Sequence, residues 1–266
     1  MLRIDKSLRN YHIRATDGNI GRIDDFLFDG DQWIVRYTVV DTSGWLPGRR
    51  VLLIPDVLDE PSAEGKLLPV DLSREQVRNS PDITTDRPVS RQKEIDLFEY
   101  YGWSPYWGAG HAGFKHPVMP DVEPDKQELS GAPTPGDPHL RSMQEVEGYL
   151  VNAEDGPVGH VEGFIIDDQQ WIVRYMMVDM GKWIFGRKVL IATDWIKRIN
   201  WNDRAVRIHC SQHEVKESPE YDPGTDRPGP KPFGVLLDVP RPAAGDDAVV
   251  AAGPATGDPD LPPGRL

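Results

Sequence analysis

The chain has 266 residues, 38% of them hydrophobic and 27% charged, with a formal net charge of −13 at pH 7. That length holds about two ordinary domains, and the composition is globular rather than fibrous. An acidic field of this strength repels nucleic-acid phosphates at long range, and no apolar run approaches the roughly 20 residues of a membrane-spanning helix. Cys210 is the single cysteine, which excludes an intramolecular disulfide and fits a reducing cytoplasm; the opening MLRIDKSLRNYHI carries no secretory signal.

In chain order the first signal is a tight turn at Asp17-Gly18, followed by an apolar run through Ile20, Ile23 and Phe26 to Phe28. The polar turn Asp29-Gly30-Asp31-Gln32 leads into a β-branched strand from Trp33 to Val40, so the two runs read as a hairpin. Trp33, Val35, Tyr37 and Val39 are expected on one face and Ile34, Arg36, Thr38 and Val40 on the other. Both faces are largely apolar, as in a strand covered on both sides. A loop with Trp45 and Gly48, a strand from Arg50 to Ile54 and a short strand from Leu67 to Leu72 follow. Ser73-Arg74-Glu75-Gln76 is a capping box that opens a short helix, stopped at Ser80-Pro81.

The same signals then recur. Residues 33–52 read WIVRYTVVDTSGWLPGRRVL and residues 171–190 read WIVRYMMVDMGKWIFGRKVL, 138 positions later throughout. The register extends from Tyr11/Tyr149 to Pro81/Pro219, and 25 of these 71 paired positions are identical. The chain therefore holds two copies of one small unit. The expected architecture is mainly β: two small barrels related by the internal repeat and packed face to face, over residues 1–88 and 146–228. Between them, residues 89–107 form a helix, with Ile95, Phe98 and Tyr101 at helical spacing, and an aromatic strap. Residues 108–145, rich in Gly, Pro and acids, read as a flexible linker. Residues 229–266 form a Pro/Gly/Ala-rich tail expected to be disordered.

The Asp17, Gly18, Gly21, Phe26, Trp33–Tyr37, Val39–Asp41 and Trp45–Leu53 pattern, repeated 138 residues later with Phe185 in place of Pro47, resembles the PRC-barrel family. The resemblance covers about 150 residues. Barrels of that family occur in the cytoplasmic part of the photosynthetic reaction-centre H subunit and in the ribosome maturation factor RimM. It therefore implies three settings: a stand-alone barrel protein, a peripheral accessory of a photosynthetic membrane, or an RNA- or ribosome-associated factor. An H subunit would bring a membrane-anchoring helix ahead of the barrel, and RimM a different RNA-facing barrel; this sequence shows neither.

Candidate sites follow from residue type and spacing. Residues 108–113 spell GxGxxG but lack the strand and helix that dinucleotide binding requires. His209, Cys210 and His213 have metal-ligand character, though zinc takes four ligands and no second pair stands nearby. Asp24, Asp25, Asp29 and Asp31 fit hairpin-turn chemistry better than a calcium loop. The pairs Arg49-Arg50 and Arg187-Lys188 could meet phosphate, but pairing with Asp41, Asp179 or the acidic turns is the simpler expectation. Trp33, Arg36, Asp41, Trp45, Gly48 and Arg49, with Trp171, Arg174, Asp179, Trp183, Gly186 and Arg187, recur in both copies and so read as fold-defining. No catalytic, cofactor or metal residues are assigned. Tyr100, Tyr101, Trp103, Tyr106 and Trp107 place five rings in eight residues, either as a protein-interface anchor or as intrachain packing. The expectation is a non-catalytic, cytoplasmic docking or regulatory module with a protein partner, with room for peripheral attachment to a membrane face.

Overall fold

A computed structural model describes residues 1–81, 91–103, 105–106, 140–181, 187–218 and 221. The protein is mainly β. Its first half comprises β1 (Leu2–Ile4), α1 (Asp5–Leu8), β2 (His12–Ala15), β3 (Gly18–Asp29), β4 (Ile34–Asp41), β5 (Arg50–Leu53), β6 (Leu67–Pro69) and α2 (Arg74–Asn79). The helix α3 (Arg91–Tyr101) follows. The second half comprises β7 (Leu140–Ser142), α4 (Met143–Val146), β8 (Leu150–Ala153), β9 (Gly156–Asp167), β10 (Ile172–Asp179), β11 (Lys188–Ala192), β12 (Ile196–Asn200), β13 (Ala205–Ile208) and α5 (Gln212–Glu217).

The 13 strands of the described residues belong to one curled sheet, in which each half repeats the pairing of the other. β3 with β4 and β9 with β10 form the long hairpins. β2 with β6 and β8 with β13 are parallel pairs in matching register. Both capping boxes form, at Ser73/Gln76 and Ser211/Glu214. Asp17 and Asp155 each accept from the first backbone N–H of the following capped helix, at 2.7 Å, so the Asp-Gly turn also anchors that helix.

Two features depart from face-to-face packing of self-contained units. The halves are joined edge to edge at a seam where Ile34 faces Ile172, and Val35 and Val173 donate to the carbonyls of Trp171 and Trp33 at 2.8 Å. The N-terminal arms are also exchanged. β1 pairs with β9 of the second half, while β7 pairs with β3 of the first, in identical register. Residues 140–145, read from composition as linker, therefore belong to the fold as β7 and most of α4.

The seam is aromatic. Trp33 and Trp171 have positive φ, 58° and 54°, a conformation that costs a non-glycine residue about 1 kcal/mol or more. Each closes its hairpin by donating to Asp29 or Asp167, and each indole is buried. Phe28 stacks on Trp33 at 5.4 Å and meets Phe164 at 5.5 Å, while Phe26 meets Trp171 at 6.0 Å. Side chains from both halves thus fill one continuous core.

The expected alternation along β4 breaks at Arg36. The β3 register skips from Val35 to Tyr37, so Arg36 is a bulge residue, as is Arg174 between Val173 and Tyr175. The one-residue slip sends Val35 and Val40 into the central core and turns Tyr37 and Val39 to the outer face. There, with Leu27, Leu52 and Ile54, they make a second apolar surface, covered by Leu97 and Phe98 of α3.

Candidate interaction surface

The strap is seated on this outer face of the first half. The buried face of α3 is Glu94, Leu97 and Phe98, offset from the expected Ile95 face, because a buried acid holds it in place. Glu94 is fully buried, and its Oε1 accepts from the hydroxyls of Tyr37 at 2.9 Å and Tyr106 at 2.5 Å. Two hydroxyls from different segments thus meet on one carboxyl oxygen, and this junction pins helix, strap and strand together. The Arg36 guanidinium lies 4.1 Å above the Tyr106 ring. Phe98 is edge-on to Tyr37, Trp103 and Tyr106.

Gly102, with φ of 69°, ends the helix, and Trp103 donates its backbone N–H to Phe98 at 3.0 Å. The turn folds Trp103 flat against Tyr101, ring centroids 4.1 Å apart, and burial pushes the Tyr101 hydroxyl up to about 12. Tyr101, Trp103 and Tyr106 are therefore intrachain contacts. Tyr100 alone of the described strap rings stays exposed, at 40%, with its hydroxyl donating to the Gln76 carbonyl of α2. Trp107 lies outside the described residues, as do residues 229–239, which would correspond to α3 in the second half.

The repeated residues have local structural partners. Arg36 and Arg174 reach back from their bulges to Asp29 and Gln32, and to Asp167 and Gln170. Asp41 and Asp179 accept from backbone N–H groups two residues on, which holds the Asp41 carboxyl below its usual range. Trp45 donates to the Ile20 carbonyl at 2.5 Å and packs under the Arg74 and Arg78 guanidiniums. Gly48 adopts φ of 75° in the loop; Trp183 and Gly186 lie outside the described residues.

The Arg50 charge, opposite Asp41 in the ladder, helps to lower that carboxyl, while the bonds seen for the basic pairs go elsewhere. Arg49 donates to the carbonyls of Arg78 and Ser80 at the end of α2, and Arg187 to that of Ser218 after α5. A guanidinium there satisfies carbonyls that a helix leaves unpaired. Arg50 pairs with Asp24 at 3.2 Å and Lys188 with Glu162 at 3.0 Å.

The exchanged arms create a polar cluster that sequence reasoning missed. Asp5 is fully buried over Gly163, where its Oδ1 accepts from the Phe164 N–H at 2.8 Å, and it pairs with Arg9. Arg9 also pairs with Glu147. In the mirrored location Asp25 accepts from the Ser142 hydroxyl and, at 3.2 Å, from the Gln144 N–H at the start of α4. Burial raises both carboxyls, that of Asp25 up to about 6, against the lowering effect of these hydrogen bonds. Asp25, expected among the hairpin-turn acids, lies instead inside β3 and holds the arm.

Of the remaining candidates, Asp29 forms the expected turn, accepting from Asp31 and Gln32. Cys210 is buried, with its thiol pushed up to about 12 by desolvation; His209 lies 3.9 Å from Glu154, and His213 is exposed. Among the described residues no three His, Cys, Asp or Glu side chains are grouped to hold a metal ion. The GxGxxG string lies outside the described residues. Among the described residues no helix is long and apolar enough to cross a membrane. No protein-family description matches the chain, and no curated protein is significantly similar to it.

Proposed function

We propose that this chain is a non-catalytic docking protein built from two PRC-barrel-like units, with the strap-covered face of the first unit as its recognition surface. The observation that carries the reading is a ring-rich strap seated on a repeated frame. Strand pairing and register repeat across the halves, and among the described residues the helix and ring-rich strap sit on the outer face of the first half. A sheet platform that carries such a strap suits recognition, and exposed Tyr beside packed aromatics is the composition of an interface anchor. The frame also accounts for the repeated Arg and Asp residues, whose bonds are to turns and helix ends rather than to a shared pocket. Phosphate binding by Arg49 and Arg187 is disfavoured because backbone carbonyls already occupy them.

The test is affinity capture from native lysate with the intact chain and a Tyr100→Ala variant. Tyr100 is exposed, so the variant keeps its circular dichroism spectrum. Loss of a specific partner, by about fivefold or more for an anchor worth above 1 kcal/mol, supports the reading. An unchanged set of partners refutes it.

A further inference from the structure

The two ends of the sheet carry opposite net charge, and the sign reverses at two equivalent pairs, Asp59/Lys197 and Glu60/Arg198. β12 stands at one limit of the strand order and β6 at the other. Beside β6, residues 58–62 occupy the place of β12: Leu58 bridges Val70 and Ser62 bridges Leu67, as Ile196 pairs with Ile208 and Asn200 with Ala205. Backbone register is therefore the same at both ends, and the side chains differ. At the second-half end Lys197, Arg198, Arg204 and Arg207 are exposed, with Asp203 the one acid between 196 and 208. At the first-half end Asp59, Glu60 and Glu64 are exposed, with Lys66 the one base between 58 and 70.

The basic end is also electrostatically unfavourable as it stands. Arg198 is directly opposite Arg207 across the β12–β13 ladder, and among the described residues neither has an acidic partner. Like charges directly opposed on a sheet destabilise it. Charge on a terminal strand also guards against edge pairing, and Pro61 and Pro69 serve that purpose at the other end. Guarding alone requires no reversal of sign at Asp59/Lys197 and Glu60/Arg198, and no facing arginines in a chain of net charge −13.

We propose that the protein associates head to tail, the basic β12–β13 end of one copy seating on the acidic end, residues 58–66, of the next. Arg198 and Arg207 then gain carboxylate partners, Asp59 and Glu60 foremost. Each joined pair keeps one free end of either sign, so the contact is heterologous and propagates into open oligomers. A polyanion could cover the arginines too, but it would leave the acidic end without a role. This inference is independent of the strap's function.

Sedimentation velocity tests it with three proteins: wild type, Arg198→Glu/Arg207→Glu, and Asp59→Lys/Glu60→Lys. All the altered side chains are exposed, and circular dichroism verifies the folds. Wild type is expected to grow in mean size with concentration at about 0.02 M salt and to revert to single copies at about 0.5 M, where screening is complete within a few ångströms. Each double variant has two ends of like sign and stays a single copy; a 1:1 mixture of the two associates again. Wild type that is a single copy at low salt overturns the proposal. So do variants that assemble as well as wild type, or a mixture that fails to assemble. Salt-sensitive binding of heparin by single wild-type copies overturns it as well and assigns the arginines to a polyanion.

Discussion

Asp25→Asn should stabilise the protein at neutral pH and leave it unchanged in acid. The carboxyl is 7% exposed, and burial raises it from 3.8 to about 6. Each tenfold change in proton affinity is worth about 1.4 kcal/mol, so burying the ionised form costs about 3 kcal/mol as an upper figure. The sign follows from linkage: the folded state binds this proton more tightly than the unfolded state. The stabilisation by protonated Asp25 is complete below about pH 4 and is lost as pH rises through about 6. Asparagine keeps the neutral form at every pH and can still accept from Gln144, while the Ser142 hydroxyl reorients. Urea unfolding at pH 4 should give equal stabilities. At pH 8 the variant should lead by up to about 3 kcal/mol, or about 6–12 °C in Tm for a fold of this size. Asp5 shifts in the same direction in both proteins and so cancels in the difference. A variant less stable than wild type at pH 8 would mean that the charged hydrogen bonds outweigh desolvation, and would refute this account of the arm.

Two further substitutions test the frame. Phe164→Ala removes a fully buried ring that touches Phe28 and Trp33 of the other half, so a loss of about 3–5 kcal/mol is expected in one cooperative transition. Two separated transitions by calorimetry would show that the halves unfold independently. Gly21→Ala places a Cβ 2.0 Å from the Asp41 carbonyl oxygen at φ of 152°, forcing β3 from β4, and should cost about 3 kcal/mol or more. Gly30→Ala meets only the Arg141 side chain at 3.4 Å and serves as the tolerant control in the same denaturation series.

What could be read in the sequence was what is local. The hairpin turns, the β-branched strands and both capping boxes depend on residues a few positions apart, and they form where the spacing places them. The constant offset of 138 identified the repeat because 25 identities survive within it. Arm exchange was not legible: β1 and β7 are three residues each, with no hydrophobic period, and their partners lie some 165 and 110 residues away. The bulge at Arg36 was hidden for a different reason, since a one-residue slip leaves composition unchanged while reversing the faces of Tyr37 and Val39. Glu94 falls outside the Ile95, Phe98 and Tyr101 spacing, yet it is the buried acceptor that holds the strap.

The arm cluster explains why two similar halves remain in one chain. Arg9 and Glu147 are equivalent positions, 138 apart, and they pair with each other. In a dimer of identical units these positions would present the same residue twice, two arginines or two glutamates face to face, because the same patch meets itself across a two-fold axis. The carboxylates beneath the arms are divided in the same way. Asp5 sits over Gly163 on one side, and at the equivalent place Met143 lies beside Asp25, so each arm site has one acid supplied from opposite sides. Two copies of either arm would put two carboxylates or none at one site. Covalent linkage frees equivalent positions to diverge into complementary ones, and the pairing of unlike arms is what that divergence encodes.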